Sequence, residues 1–263
     1  MVDESRVVTL NLEETDSGSG LRYTAYSVPG ARESQQDALF VGEGSGAVLA
    51  VVCDGMGGMT GGEKASALAV RMLAETFFQR EPSDVPGFYR GIVGDIDEAV
   101  YGLEDNGKRL GAGTTIVAVT VRPEGLYWLS VGDSRIYLLR RGQMLCPVLA
   151  HNYRLLLDGM LAEGAIDEAK YRQELPKAEA LISFLGVGGV ERMEVNPNPF
   201  RLEEGDRILL CSDGLYKSLP DGRIQEILEG RMQLGAKVRQ LVEEAVQAGG
   251  RRQDNTSVIL LQA

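Results

Sequence analysis

The sequence predicts an α+β protein in which helices cover the outside of antiparallel sheets. Three observations predict it. Two apolar runs, Val48 to Cys53 and Ile208 to Cys211, read as buried strands, each delivering a carboxylate and a glycine to its tip. Neighbouring strand candidates are separated by short turn signals that suit hairpins rather than βαβ crossovers. Stretches with apolar residues at i, i+3 and i+4 occur in pairs, each long enough to cover a sheet. With 263 residues, 44% hydrophobic and 25% charged, the chain can build a real core, and no repeat or linker divides it. A single domain over 1–263 is expected.

Taken in order, the patch Val7 to Leu12 alternates as an edge strand does, and residues 16–20 form a flexible turn. Tyr23 to Val28 is a second strand, closed by Pro29-Gly30. A polar loop carrying Arg32 and Asp37 feeds Ala38 to Val41, which pairs with residues 48–53 across the turn Gly42 to Gly46. After Gly62 a helix carries Ala65, Leu68, Ala69, Met72 and Leu73 on one stripe, and a second over 88–103 carries Ile92, Ile96, Val100 and Leu103. Gly113-Thr114-Thr115 opens strands at 116–121, 126–131 and 136–139. The breaks at 122–125 and 132–135 are hairpin-sized, so this block reads as an antiparallel meander. Residues 154–163 and 167–174 form short helices, interrupted by Gly159, Gly164 and Pro176. The strand at 208–211, helices at 221–229 and 234–247, and a final strand entered from Asp254 complete the chain.

Composition excludes some functions. The 27 basic side chains face 38 acidic ones, and a net charge of -11 repels nucleic acid and anionic membrane. No run of about 18 apolar residues and no basic or apolar leader occurs, so a cytoplasmic protein is expected. Cys53, Cys146 and Cys211 form neither a disulfide framework nor a metal spacing; Cys53 and Cys211 read as small buried thiols. Gly57-Gly58 and Gly61-Gly62 lack the lysine of a phosphate-binding P-loop and read as helix entry. Arg140-Arg141 and Arg251-Arg252 read as solvated surface.

Asp37, Asp54, Asp133, Asp213 and Asp254 all stand at strand boundaries. Each alone is ordinary turn chemistry. Together, carboxylates aimed by apolar strands at one region call for a cation. The only histidine is His151, so the donors are oxygens, which select Mg²⁺ or Mn²⁺ over Zn²⁺.

The ordered set Arg32…Gln36-Asp37, Val52-Cys53-Asp54-Gly55-Met56-Gly57-Gly58, Gly113-Thr114-Thr115, Val131-Gly132-Asp133-Ser134-Arg135, Leu210-Cys211-Ser212-Asp213-Gly214-Leu215 and Asp254-Asn255-Thr256-Ser257-Val258 resembles the metal-dependent type 2C protein serine/threonine phosphatases, in their bacterial form. The resemblance implies a four-layer αββα sandwich, two antiparallel sheets flanked by helix pairs, with a variable flap at about 150–190. It implies hydrolysis of phosphoserine and phosphothreonine by a water that a binuclear Mn²⁺ or Mg²⁺ centre activates. Asp54 would bridge two ions, with the Gly55 carbonyl on one, Asp213 and Asp254 completing the shell of the other, and Asp37 serving the second. Asp133, sharing Asp213, would serve a third. Arg32 would grip the phosphate and Asn255 would support the ligands. The implied partners are phosphoproteins made by a serine/threonine kinase in bacterial signalling, acted on by a monomer.

Departures from the family pattern stand at Met56, where some relatives carry histidine, and at Gln35 and Gln36, where asparagine and glutamate are usual. Ala150-His151-Asn152 replaces the common Asp-His, and His151 reads as a structural or surface residue. The alternative function is a catalytically weak relative that binds phosphoproteins as a regulatory module. Such a module should have lost a bridging carboxylate, whereas Asp54, Asp213 and Asp254 are all present. A phosphatase acting on a small molecule is a third reading.

Overall fold

The computed structural model describes residues 12–17 and 20–263. Most of the strand expected over Val7 to Leu12 lies outside the described residues, as do Gly18 and Ser19 of the expected flexible turn; the first described strand, β1, runs Leu12–Asp16. The chain continues with β2 (Arg22–Val28), β3 (Asp37–Gly44), β4 (Ala47–Met56), α1 (Gly58–Arg80) and α2 (Val85–Tyr101). Then come β5 (Glu104–Asp105), β6 (Lys108–Arg109), β7 (Gly113–Thr114), β8 (Ile116–Arg122), β9 (Gly125–Val131), β10 (Arg135–Arg140) and β11 (Gln143–Leu145). Two helices, α3 (Tyr153–Ala162) and α4 (Glu168–Glu174), precede β12 (Glu194–Val195) and β13 (Arg207–Cys211). The C-terminal part holds α5 (Asp213–Tyr216), α6 (Asp221–Glu229), α7 (Leu234–Gly249) and β14 (Thr256–Gln262).

Two antiparallel sheets form the middle. One has the order β1-β2-β14-β13-β10-β11; the other has β12-β9-β8-β4-β3, with β7 on the end of β4. Strand β4 reads as an unbroken apolar run because both of its faces are covered. Val48, Ala50 and Val52 pack between the sheets, while Leu49, Val51 and Cys53 pack under α1 and α2. The same period divides β13, whose Ile208 and Leu210 join the inter-sheet core and whose Leu209 and Cys211 face α6 and α7. The layers are therefore helix, sheet, sheet, helix, as the resemblance implied. Among the described residues, no helix is long and apolar enough to cross a membrane.

The hairpin of β3 and β4 closes in two residues, Ser45 and Gly46, at φ 51 and 71, the pair of left-handed conformations a tight hairpin turn requires. Helix α1 begins at Gly58, ahead of the expected start after Gly62, because Gly62 N already donates to Gly57 O at 2.9 Å.

The expected meander is corrected at its second turn. Strands β8 and β9 do form a hairpin, but β9 is flanked on its other side by β12 and has no edge left for β10. The chain crosses to the other sheet, where β10 pairs with β13. The crossing passes through Gly132 at φ 104, where a Cβ would stand 2.6 Å from Thr115 Cγ2. Asp133 is thus carried to the place where both sheets end. Arg140 is also not free surface: its Nε and Nη2 fork onto the buried Asp206 carboxylate at 2.9 and 2.5 Å.

Candidate metal centre

The strand ends that carry aspartates gather at one edge of the sandwich. Arg32, Asp54, Gly55, Asp133, Asp213, Asp254 and Asn255 border a single cleft of about 750 Å³. Asp37 does not line it; this residue is buried behind Asp54, directly opposite it in the β3–β4 register. Two carboxylates facing each other across a strand pair repel unless a positive charge lies between them.

Backbone geometry around Asp54 is clamped from three sides. Thr115 N and Thr114 Oγ1 both donate to Asp54 O, at 2.9 and 3.0 Å, and Asp54 N donates to Thr115 Oγ1 at 3.0 Å. This explains the Gly113-Thr114-Thr115 motif, whose purpose the sequence alone left open. Gly55 N donates to Gln36 O at 3.1 Å, and a Cβ on Gly55 would lie 2.1 Å from Gly62 O, so only glycine fits there. Asn255 ties the Arg32 loop to the last strand: its Nδ2 donates to Pro29 O and Ser34 O at 2.9 and 3.0 Å, and its Oδ1 accepts from Gln36 N at 2.7 Å.

At the second aspartate-bearing strand, β13 runs into Ser212 and then the short helix α5, which the sequence did not announce. Ser212 Oγ donates to Asp37 Oδ2 at 2.7 Å and accepts from Ser257 N at 3.0 Å, joining three chain segments behind the cleft. Gln253 Nε2 donates to Gly214 O at 2.7 Å and fixes the Asp213-Gly214 turn against Asp254. Ser212 stands inside the Leu210 to Leu215 motif without a role assigned to it, and Gln253 carries no sequence signal, because a lone glutamine in a loop looks like any other.

His151 is buried, as a structural residue should be. Its N donates to Gly132 O at 2.8 Å and its Nδ1 accepts from Gly132 N at 3.1 Å, so the ring holds the loop that precedes Asp133. Burial first, and Arg192 second, lower its pKa. Ile182 N donates to His151 O at 2.9 Å, which stitches the 150–190 segment to the same loop. From that segment Glu179 and Leu181 reach the cleft wall. Asp133 and Arg135 do not pair with each other; Arg135 reaches Asp221 at 3.2 Å and lies over the Tyr216 ring.

The electrostatics of this cluster favour a cation. Burial, then the carboxylates of Asp37, Asp213 and Asp133, push the Asp54 carboxyl well above the usual range. Asp37 is raised to about 7, again by burial first and then against its hydroxyl donors by Asp213 and Asp254. Its buried Oδ1 has no hydrogen-bond partner among the described residues. Among the described residues, no three acidic, histidine or cysteine groups stand at ready-made ligand spacing. Asp254 leans on Arg32 at 2.6 Å and Asp213 on Lys217 at 2.6 Å, cationic side chains held where the carboxylate charge is concentrated. An orphaned carboxylate oxygen, mutual repulsion and an all-oxygen donor set fit a hard divalent cation.

Together, a sandwich of two antiparallel sheets between helix layers and an acidic, oxygen-lined cleft at their common edge define a class of metal-dependent hydrolase. The family model for protein phosphatase 2C matches residues 30–248, and the chain belongs to that family. A serine/threonine phosphatase, stp, of Listeria innocua serovar 6a is 31% identical over 219 residues, spanning 81% of this chain and 84% of that one. The structure of the S. agalactiae serine/threonine phosphatase superposes with a TM-score of 0.79 at 26% identity, covering 92% of this chain and 99% of that one. The catalytic domain of the serine threonine protein phosphatase PstP, in complex with two manganese ions, gives 0.73 at 29% identity, covering 92% and 97%.

Proposed function

We propose that this chain hydrolyses phosphoserine and phosphothreonine in proteins, using water readied at a pair of Mn²⁺ or Mg²⁺ ions. The observation that carries the reading is the meeting of Asp54, Asp213 and Asp254, from three strand ends far apart in sequence, with Arg32 around one cleft. Asp54, the Gly55 carbonyl, Asp213 and Asp254 would hold the ions, with Asp37 behind them. When bound, such ions acidify water and offset negative charge on a phosphoryl group.

The chain's own groups supply the rest. Arg32 is 59% exposed and ion-paired to Asp254, so its guanidinium can turn to a phosphate and grip two oxygens. Asn255 and the Thr114–Thr115 clamp keep the Arg32 loop and Asp54 in register while the P–O bond to water forms and the P–O bond to the seryl or threonyl oxygen breaks. Met56 lines the cleft and cannot donate a proton, so a water held at the ions would have to supply the proton of the leaving oxygen. In this reading the substrates are products of a serine/threonine kinase, and the protein acts on them as a monomer in the cytoplasm, in signalling. The regulatory-module alternative is not favoured, because every carboxylate it should have lost borders the cleft or supports it.

The test is manganese-dependent turnover of a phosphothreonine peptide, with and without chelator. Chelation should stop the native protein, and Asp54→Asn and Asp213→Asn should each lower kcat by at least about a hundredfold, on the scale of lost electrostatic stabilisation. Substantial activity in both variants refutes the scheme.

A further inference from the structure

One positive side chain enters the carboxylate cluster from within the chain itself. Lys217 directly follows α5, one turn beyond Asp213, and its Nζ donates to Asp213 Oδ2 at 2.6 Å. The same nitrogen lies 3.7 Å from Asp133 Oδ2. The Asp133 side chain is only 5% exposed and that of Lys217 40%, so the ammonium closes the gap between the two carboxylates from the solvent side.

We propose that the Lys217 ammonium is the resident cation of the Asp133–Asp213 pair, so that this chain takes two divalent ions and excludes a third. The inference rests on the two-ion reading above and concerns the additional ion that the resemblance assigns to Asp133 and Asp213. An ammonium at hydrogen-bond distance from one carboxylate and within ion-pair reach of the other already offsets one of the pair's two negative charges and occupies the space between them. A divalent ion placed between them would meet that ammonium at like-charge contact. Because Lys217 is tethered one helical turn from Asp213, its local concentration exceeds that of a free ion. Asp213 keeps its other oxygen for the ions it shares with Asp54 and Asp254.

The test counts metal. Native protein and variants are dialysed to equilibrium against saturating Mn²⁺ and the bound ion is measured by plasma mass spectrometry, with circular dichroism confirming the fold. The native chain should bind two ions. Lys217→Ala should bind one more, Lys217→Arg should match the native count, and Lys217→Ala combined with Asp133→Asn should lose the added ion. Lys217→Gln serves as a second neutral variant if the alanine form folds poorly. A third ion in the native protein overturns the inference, as does a neutral variant with the native count, or an added ion that survives Asp133→Asn. A native count below two counts against the two-ion reading instead, while the increment between native and neutral variants still decides the role of Lys217.

Discussion

Asp97 offers a sharp test of how the fold supports the cleft. This residue is buried on α2, and its carboxylate accepts four backbone N–H groups from one glycine-rich turn: Oδ1 takes Gly186, Val187 and Gly188 at 2.6, 3.0 and 3.3 Å, and Oδ2 takes Gly189 at 2.6 Å. Gly186, Gly188 and Gly189 all sit at positive φ, which lets successive amides turn inward around one anion. Each hydrogen bond to a charged acceptor contributes about 1.5–3 kcal/mol, but the freed amides at 187–189 are exposed and regain water. Asp97→Ala should therefore cost about 2–4 kcal/mol. Asp97→Asn, which retains one acceptor oxygen but turns an amide toward another donor, should cost about 1–2 kcal/mol. Urea unfolding followed by the single tryptophan, Trp128, measures both. The neighbouring Leu185 exchanges hydrogen bonds with Thr114 at 2.9 Å each way, and Thr114 clamps Asp54, so turnover should also fall several-fold without vanishing. An alanine variant within about 1 kcal/mol of native, or an asparagine variant less stable than alanine, would refute this account.

Other substitutions probe the site and its frame. Gly55→Ala would place a Cβ 2.1 Å from Gly62 O and 2.5 Å from Gln36 O, both backbone, and should cost at least about 3 kcal/mol, a drop in Tm of about 6–12 °C by calorimetry. Arg32→Lys should raise KM for a phosphopeptide roughly tenfold with a smaller change in kcat, since a lysine cannot grip two oxygens at once; an unchanged KM removes Arg32 from phosphate recognition. Glu244 accepts from both Arg223 Nε and Nη2, at 2.8 and 2.7 Å, joining α6 to α7. The Arg223 fork, then Gln240, depresses the Glu244 pKa from 4.5 to about 2, so this pair contributes stability above about pH 4.5 that is lost as pH falls toward 2. Both side chains are partly exposed, at 28% and 38%, so solvent screening keeps the contribution small. The gap in urea stability between native and Glu244→Gln should narrow as pH falls below about 4.5 and close only toward pH 2; a gap independent of pH argues against it.

The sequence by itself determined the strands that end in carboxylates, the paired amphipathic helices, the layer order through family resemblance, and several of the residues that border the cleft, among them Arg32, Asp54, Asp133, Asp213 and Asp254. Those signals are local: side-chain period within one element and the order of short motifs survive without knowledge of where the chain goes. Only the tertiary structure decided what depends on neighbours distant in sequence. That β10 leaves its hairpin partner for the other sheet follows from the occupied edges of β9, and this crossing brings Asp133 beside Asp213 and Lys217. The burial of Asp37 behind Asp54, the grip of Ser212 and Asn255 on the loops around them, and the use of Asp97 to hold a glycine-rich turn are of the same kind. Each rests on contacts between residues tens to hundreds of positions apart, and whether a polar side chain finds such a partner is settled by packing, not by the residues beside it in the chain.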